Sequence, residues 1–171
     1  MMTVDGIEYV RSENNRQLGR KYLDGEGVPT DPAKAREFFA KGCEDDQDET
    51  SCDHLGVLYV QGRGVPTDFP RALRLFTDLC NGGYASGCFN LAVMHDAGQG
   101  VPKDKPRAAL LYEKGCNGGK ADSCNNLGVM YFDGEGVVRD LLKAANLFQK
   151  ACQGGCAPAC EHAQGLRGQL L

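Results

Sequence analysis

Apolar residues recur along this chain in a pattern that repeats itself. Leu18, Leu55, Leu91 and Leu127 each open a stripe; Gly19, Gly56, Ala92 and Gly128 follow one place on, and Tyr22, Tyr59, His95 and Tyr131 fill the fourth place. Apolar positions at i, i+1 and i+4 predict a helix with one buried face. Each stripe runs into a G-x-G-V turn: Gly25 to Val28, Gly62 to Val65, Gly98 to Val101 and Gly134 to Val137. Glycine supplies the positive φ that helix ends and tight turns need. An aspartate then follows in every unit, at Asp31, Asp68, Asp104 and Asp140. Its carboxylate satisfies free N–H groups and favours the helix dipole, so a second helix is predicted to open there. Pro32, Pro70 and Pro106 fall in the first turn of that helix, where a missing N–H is harmless. Ala35, Phe38 and Phe39 form its apolar face in the first unit, repeated by Leu75-Phe76, Leu111-Tyr112 and Leu147-Phe148.

The step between equivalent positions is 36 or 37 residues. Self-similarity at such a period marks a repeat architecture, in which one hairpin cannot bury its apolar face alone and neighbours must stack. The expected fold is all-α: an α/α solenoid (superhelix) of four helix-turn-helix repeats plus a C-terminal capping helix. The repeats span about residues 16–52, 53–88, 89–124 and 125–160, with the cap over 161–171, and the whole of 1–171 is read as a single repeat domain.

Composition narrows the class. Hydrophobic residues make up 42% and charged residues 25%, as in a folded globular chain, with a net charge of −4. That charge gives no general attraction to nucleic acid or to an anionic membrane. No apolar run reaches the roughly 18 residues needed to cross a bilayer. Met1 to Val10 lacks a charged segment followed by an apolar stretch, so no signal peptide is expected as written.

Nine cysteines are present, at 43 and 52, 80 and 88, 116 and 124, 152 and 160, with Cys156 left over. They keep the repeat's phase as one C-x8-C and three C-x7-C spacings. The motif L-G-x-x-Y-x-x-G-x-G-V-x-x-D-x-x-K-A at Leu18 to Ala35 and its three recurrences resemble the Sel1-like repeat family, a relative of the tetratricopeptide repeat. With the added cysteine pairs the chain is similar to the Helicobacter cysteine-rich proteins and to a cysteine-rich mitochondrial assembly factor, over about residues 13–168. The resemblance implies a disulfide inside each repeat: Cys43–Cys52, Cys80–Cys88, Cys116–Cys124 and Cys152–Cys160, with Cys156 as a free thiol. Each pair joins the end of a second helix to the start of the next first helix, antiparallel neighbours that come within bridging range. Reduced buried thiols and zinc are the rival readings; zinc needs four ligands at one point, whereas each pair is one repeat from the next. Disulfides imply an oxidising compartment, periplasmic or secreted, with the mitochondrial intermembrane space as the alternative. Cys156 is expected to be a small buried residue, the alternative being a redox-active thiol.

The sequence departs from the family pattern in the extra residue within Glu44 to Glu49, in His95 at a Tyr position and in Val138 at a Pro position. The acidic run is expected to be a solvated loop rather than a cation site. His54 and His162 share one repeat position, read as a polar place at a helix start, and His95 as a half-buried packing residue.

The Helicobacter relatives are described as penicillin-binding or β-lactamase-like. Ser12, Ser51, Ser86 and Ser123 all lack the lysine three places on that a serine β-lactamase uses, and neither K-T-G nor H-E-x-x-H occurs. The expectation is therefore no catalytic residues, no metal and no cofactor. In tetratricopeptide-like arrays the first helices line a groove, through residues two before the aligned Leu and two and five after it. Carried over, the resemblance points to Arg16, Arg20 and Leu23; to Asp53, Val57 and Val60; to Phe89, Val93 and Asp96; and to Asn125, Val129 and Phe132. An apolar floor with a polar rim suits a protein or peptide partner. The expected role is a disulfide-stapled, non-catalytic protein-protein interaction module, with no nucleic-acid binding and no membrane insertion. A penicillin-binding or β-lactamase-like protein and a thiol-redox or assembly factor are the alternatives.

Overall fold

The computed structural model describes the backbone over residues 15–170 and side chains as far as Leu166. Met1 to Val10, read above as carrying no leader, lie outside the described residues, as do the side chains at the end of the cap. Described residues 15–24 form helix α1. It is followed by α2 (Pro32–Glu44), α3 (Glu49–Gln61), α4 (Phe69–Asn81), α5 (Ala85–Ala97), α6 (Lys105–Asn117), α7 (Ala121–Asp133), α8 (Leu141–Gln153) and α9 (Ala157–Leu170). No strand occurs among the described residues. The chain divides into two compact units, one up to Phe76 and one from Thr77 onward, with the division inside α4.

In the first unit Asp31 and Asp68 perform the predicted capping. Asp31 Oδ1 accepts from the Lys34 N–H at 3.1 Å and Asp68 Oδ1 from the Arg71 N–H at 3.0 Å. Ala35, Phe39, Ala72 and Phe76 are buried from the second helices, and Leu55, Leu58 and Tyr59 from α3. Leu18 is only half-buried. The small residue beside each aligned Leu makes room for a ring: a Cβ at Gly19 would lie 2.6 Å from Phe39, and one at Gly56 2.5 Å from Phe76. Neither glycine can become alanine unless a fully buried ring shifts, and close packing makes such shifts costly.

The second unit repeats these devices. Asp104 and Asp140 cap α6 and α8 through the Arg107 and Lys143 N–H groups, both at 2.9 Å. Gly128 faces Phe148 as Gly19 faces Phe39, at 2.7 Å for a Cβ. Consecutive helices from α5 to α9 pack against one another. Gly134 ends α7 with φ +75°, and its N–H donates to the Met130 carbonyl. A side chain there would be strained in the left-handed region.

Glu44, Asp45 and Gln47 of the acidic run are exposed, as expected of a solvated loop, and Asp48 is the exception. Asp48 is 9% exposed and caps α3. The extra residue of repeat 1 is absorbed at Gln47, with φ +54°. That turn leaves Asp48 at the helix start, the place that Tyr84 and Lys120 occupy before α5 and α7.

Candidate functional site

Each of the four predicted cysteine pairs sits at a helix junction as a disulfide. The Cα–Cα distances are 4.7 Å for Cys43–Cys52, 4.4 Å for Cys80–Cys88, 4.6 Å for Cys116–Cys124 and 4.7 Å for Cys152–Cys160. Beside the bridges, small and larger residues exchange places. Gly42 packs on Ser51 and Gly115 on Ser123, whereas in the second junction Leu79 packs on Gly87. Cys156 is free and buried. It precedes α9 rather than lying within it. Among the described residues no group of three or more His, Cys, Asp or Glu is placed to hold a metal ion.

The groove residues of the first unit come from α1 and α3. Arg16 is already engaged, 3.2 Å from the Asp48 carboxylate. Arg20 is exposed, 4.0 Å from Asp24, and borders an open hollow with Gln17, Lys21 and Glu26. Asp53, Val57 and Val60 are half-buried on α3.

In the second unit Phe89, Val93 and Asp96 from α5, and Asn125, Val129 and Phe132 from α7, are all half-buried. Phe89 lies against Tyr112, ring centroids 6.0 Å apart, with Lys120 Nζ 5.3 Å from its own centroid. Asp96 accepts from Lys105 Nζ at 3.2 Å, and Lys105 also pairs with Glu135. That contact holds the Lys105 ammonium above its ordinary range and Glu135 below its own. Asn125 Oδ1 lies 3.1 Å from His162 Nδ1. Val129 and Phe132 line a hollow of about 380 Å³ with Asp133, Phe148, Glu161, His162, Gly165 and Leu166.

Four of those lining residues belong to the cap helix α9, which the predicted groove does not include. The missed signal is the 36-residue step itself: from Asn125 and Val129 it leads to Glu161 and Gly165. The histidine position also has a different role from the one expected. His54 stacks on Phe39 and His162 tilts against Phe148, each with centroids 4.8 Å apart. Where the ring is tyrosine instead, Asn126 bonds the Tyr112 hydroxyl. In these three repeats the residue at this position touches the ring of the preceding second helix.

His95 is half-buried, as expected. In the other repeats the tyrosine meets a cation twelve residues on: Arg71 donates to the Tyr59 hydroxyl at 3.2 Å and Lys143 to Tyr131 at 2.7 Å. In the third repeat that cation is Arg107. Burial first, and then Arg107, push the His95 imidazolium below its ordinary range. Its buried Nδ1 has no hydrogen-bond partner.

The Sel1 repeat model matches residues 15–46, 50–84, 85–120 and 121–156. A protective antigen of uropathogenic Escherichia coli strains with an SLR fold is 30% identical, with a TM-score of 0.80 over 92% of this chain. A Sel1 repeat protein from Oxalobacter formigenes has a TM-score of 0.82 over 95% of the chain at 24% identity. Helicobacter pylori cysteine rich protein B is 28% identical, with a TM-score of 0.62 over 77% of this chain and 94% of its own. This chain spans 34% of the first of these and 65% of the second. Among functionally curated proteins, none matches. The fold is an all-α solenoid of four such repeats.

Proposed function

The chain belongs to the Sel1 repeat family, and from that premise we propose that it is a non-catalytic binding module that holds a peptide or protein segment against its first helices. One observation carries this reading. In the second unit Phe89, Val93, Val129 and Phe132 stand at the groove positions of α5 and α7, each apolar and each still reaching solvent. Apolar side chains at a half-open, regularly spaced set of positions offer a partner area to bury, and large aromatic anchors contribute most of the energy in such interfaces. The four bridges support placement in an oxidising, extracytoplasmic compartment. No helix among the described residues is long and apolar enough to cross a membrane. The repeats and cap are read as one domain, 1–171.

Chemical cross-linking of the intact chain in the extracytoplasmic fraction of its source, followed by mass spectrometry, tests this. Phe89→Ala combined with Phe132→Ala is expected to abolish the cross-linked partner. Leu110→Ala with Leu142→Ala, which trims exposed apolar residues on second helices, is expected to leave it intact. Partner capture that survives the Phe89/Phe132 pair would place binding elsewhere.

A further inference from the structure

The hollow between α7, α8 and α9 lies where the repeat's own pattern places a glycine. Val57, Val93 and Val129 fill one groove position in α3, α5 and α7, and the residue one step further on is Gly165. A Cβ built on Gly165 meets nothing within 4 Å. Gly165 borders a space of about 380 Å³ whose apolar lining is Val129, Phe132, Phe148 and Leu166. That volume stands at the low end of the range of small-molecule pockets, about 300 to 1,000 Å³, and is ample for a single large side chain.

Its rim is acidic. Asp133 and Glu161 both line the opening and both are exposed. Among the described residues neither has an ion-pair partner. Asp133 also closes α7, so the negative end of that helix dipole adds to its charge. Arg139 reaches the Phe132 carbonyl at 2.9 Å but is not among the lining side chains. His162 is held between Phe148 and Asn125, which leaves the wall preformed. The Cys152–Cys160 bridge ties α9 to α8 immediately before Glu161 and His162, so the rim is positioned covalently.

We propose that this hollow receives one large apolar side chain, of the Phe or Leu class, from a partner protein segment that carries Lys or Arg beside it. The inference rests on the first-helix reading above and names the chemistry of the segment that would bind there. The apolar side chain contributes burial; the flanking cations meet Asp133 and Glu161 and select against acidic segments.

Gly165→Leu tests it without threatening the fold. The substitution points into open space and replaces glycine in a helix by a better helix former, so thermal stability should hold or rise. The probes are three fluorescein-labelled synthetic peptides in a Gly–Ser background: Phe between two Arg, Phe between two Glu, and Ala between two Arg. The expected result is that the Arg–Phe–Arg peptide binds at least about tenfold more tightly than the other two. It should shift the amide resonances of Phe132, His162 and Leu166 in the intact oxidised chain. Gly165→Leu should remove that binding, and Asp133→Asn with Glu161→Gln should weaken it by about tenfold at low salt. Equal binding of the Glu-flanked peptide, shifts confined to other residues, or concentration-dependent self-association that Gly165→Leu abolishes would each overturn the proposal. If Gly165→Leu changes nothing while Phe89→Ala with Phe132→Ala still abolishes partner capture, this inference fails and the first-helix reading stands.

Discussion

The first and third cysteine junctions share a bridge and a glycine–serine contact, and differ in loop length and in the charge of the residue at the helix start. In both, a glycine before the first cysteine packs on a fully buried serine before the second, Gly42 on Ser51 and Gly115 on Ser123. At the first junction Asp48 caps α3. Its Oδ2 accepts from the Ser51 N–H at 2.9 Å and from the Ser51 hydroxyl at 2.5 Å, and its Oδ1 accepts from Arg16 at 3.2 Å. At the third junction Lys120 stands in that place and makes no side-chain cap. The Ser123 hydroxyl is buried without a partner. Lys120 instead reaches Asp122 at 2.9 Å and lies over the Phe89 ring. The covalent bridge and the Gly–Ser contact are therefore enough to form the junction. The polar residue at the helix start is free either to satisfy the buried serine or to turn toward a proposed binding residue, and each junction takes a different option.

Removing the bridge is the strongest way to break this comparison. Cys116→Ala with Cys124→Ala should cost about 2.5 kcal/mol, the chain-entropy value for so short a loop. Urea unfolding of the oxidised protein measures it. The first junction without Cys43 and Cys52 should lose a similar amount; a much smaller loss there would mean that Asp48 holds the junction in place of the bridge. Next comes the cap itself. Asp48→Ala strands the Ser51 hydroxyl and N–H and unpairs Arg16, and should cost about 2 kcal/mol in the same experiment. The smallest effect is the most discriminating. Ser51→Ala should destabilise by about 1–2 kcal/mol, because it removes a buried bond to a carboxylate. Ser123→Ala should be neutral or stabilise by up to about 1 kcal/mol, because it removes an unsatisfied hydroxyl. The same substitution at equivalent places thus carries opposite signs, and equal losses at both would show that Ser123 has a partner in solution.

Much of the fold was legible in the chain because its information is local. The four aspartates bond N–H groups three residues on, and each of them caps as expected. The cysteines bridge across separations of 8 or 9 residues. Other features were read less well. Glu44, Asp45 and Gln47 of the acidic run are exposed, but Asp48 is buried against Arg16, a partner 32 residues away that no local pattern announces. His54 and His162 were read as polar helix-start residues, yet each lies on a phenylalanine of the preceding helix. Glu161 and Gly165 take the groove positions of α9, one repeat beyond Asn125 and Val129.

The sequence by itself determined the period, the helix starts and stops, and which cysteines share a junction. These follow from caps, turns and short loops, whose energies depend on near neighbours along the chain. Only the tertiary structure decided that Ser123 is left without a partner, that Arg16 is already occupied, and that Gly165 opens a hollow edged by Asp133 and Glu161. Those outcomes depend on distances between helices a full repeat apart, and close packing sets such distances through every side chain at the contact rather than through any one motif.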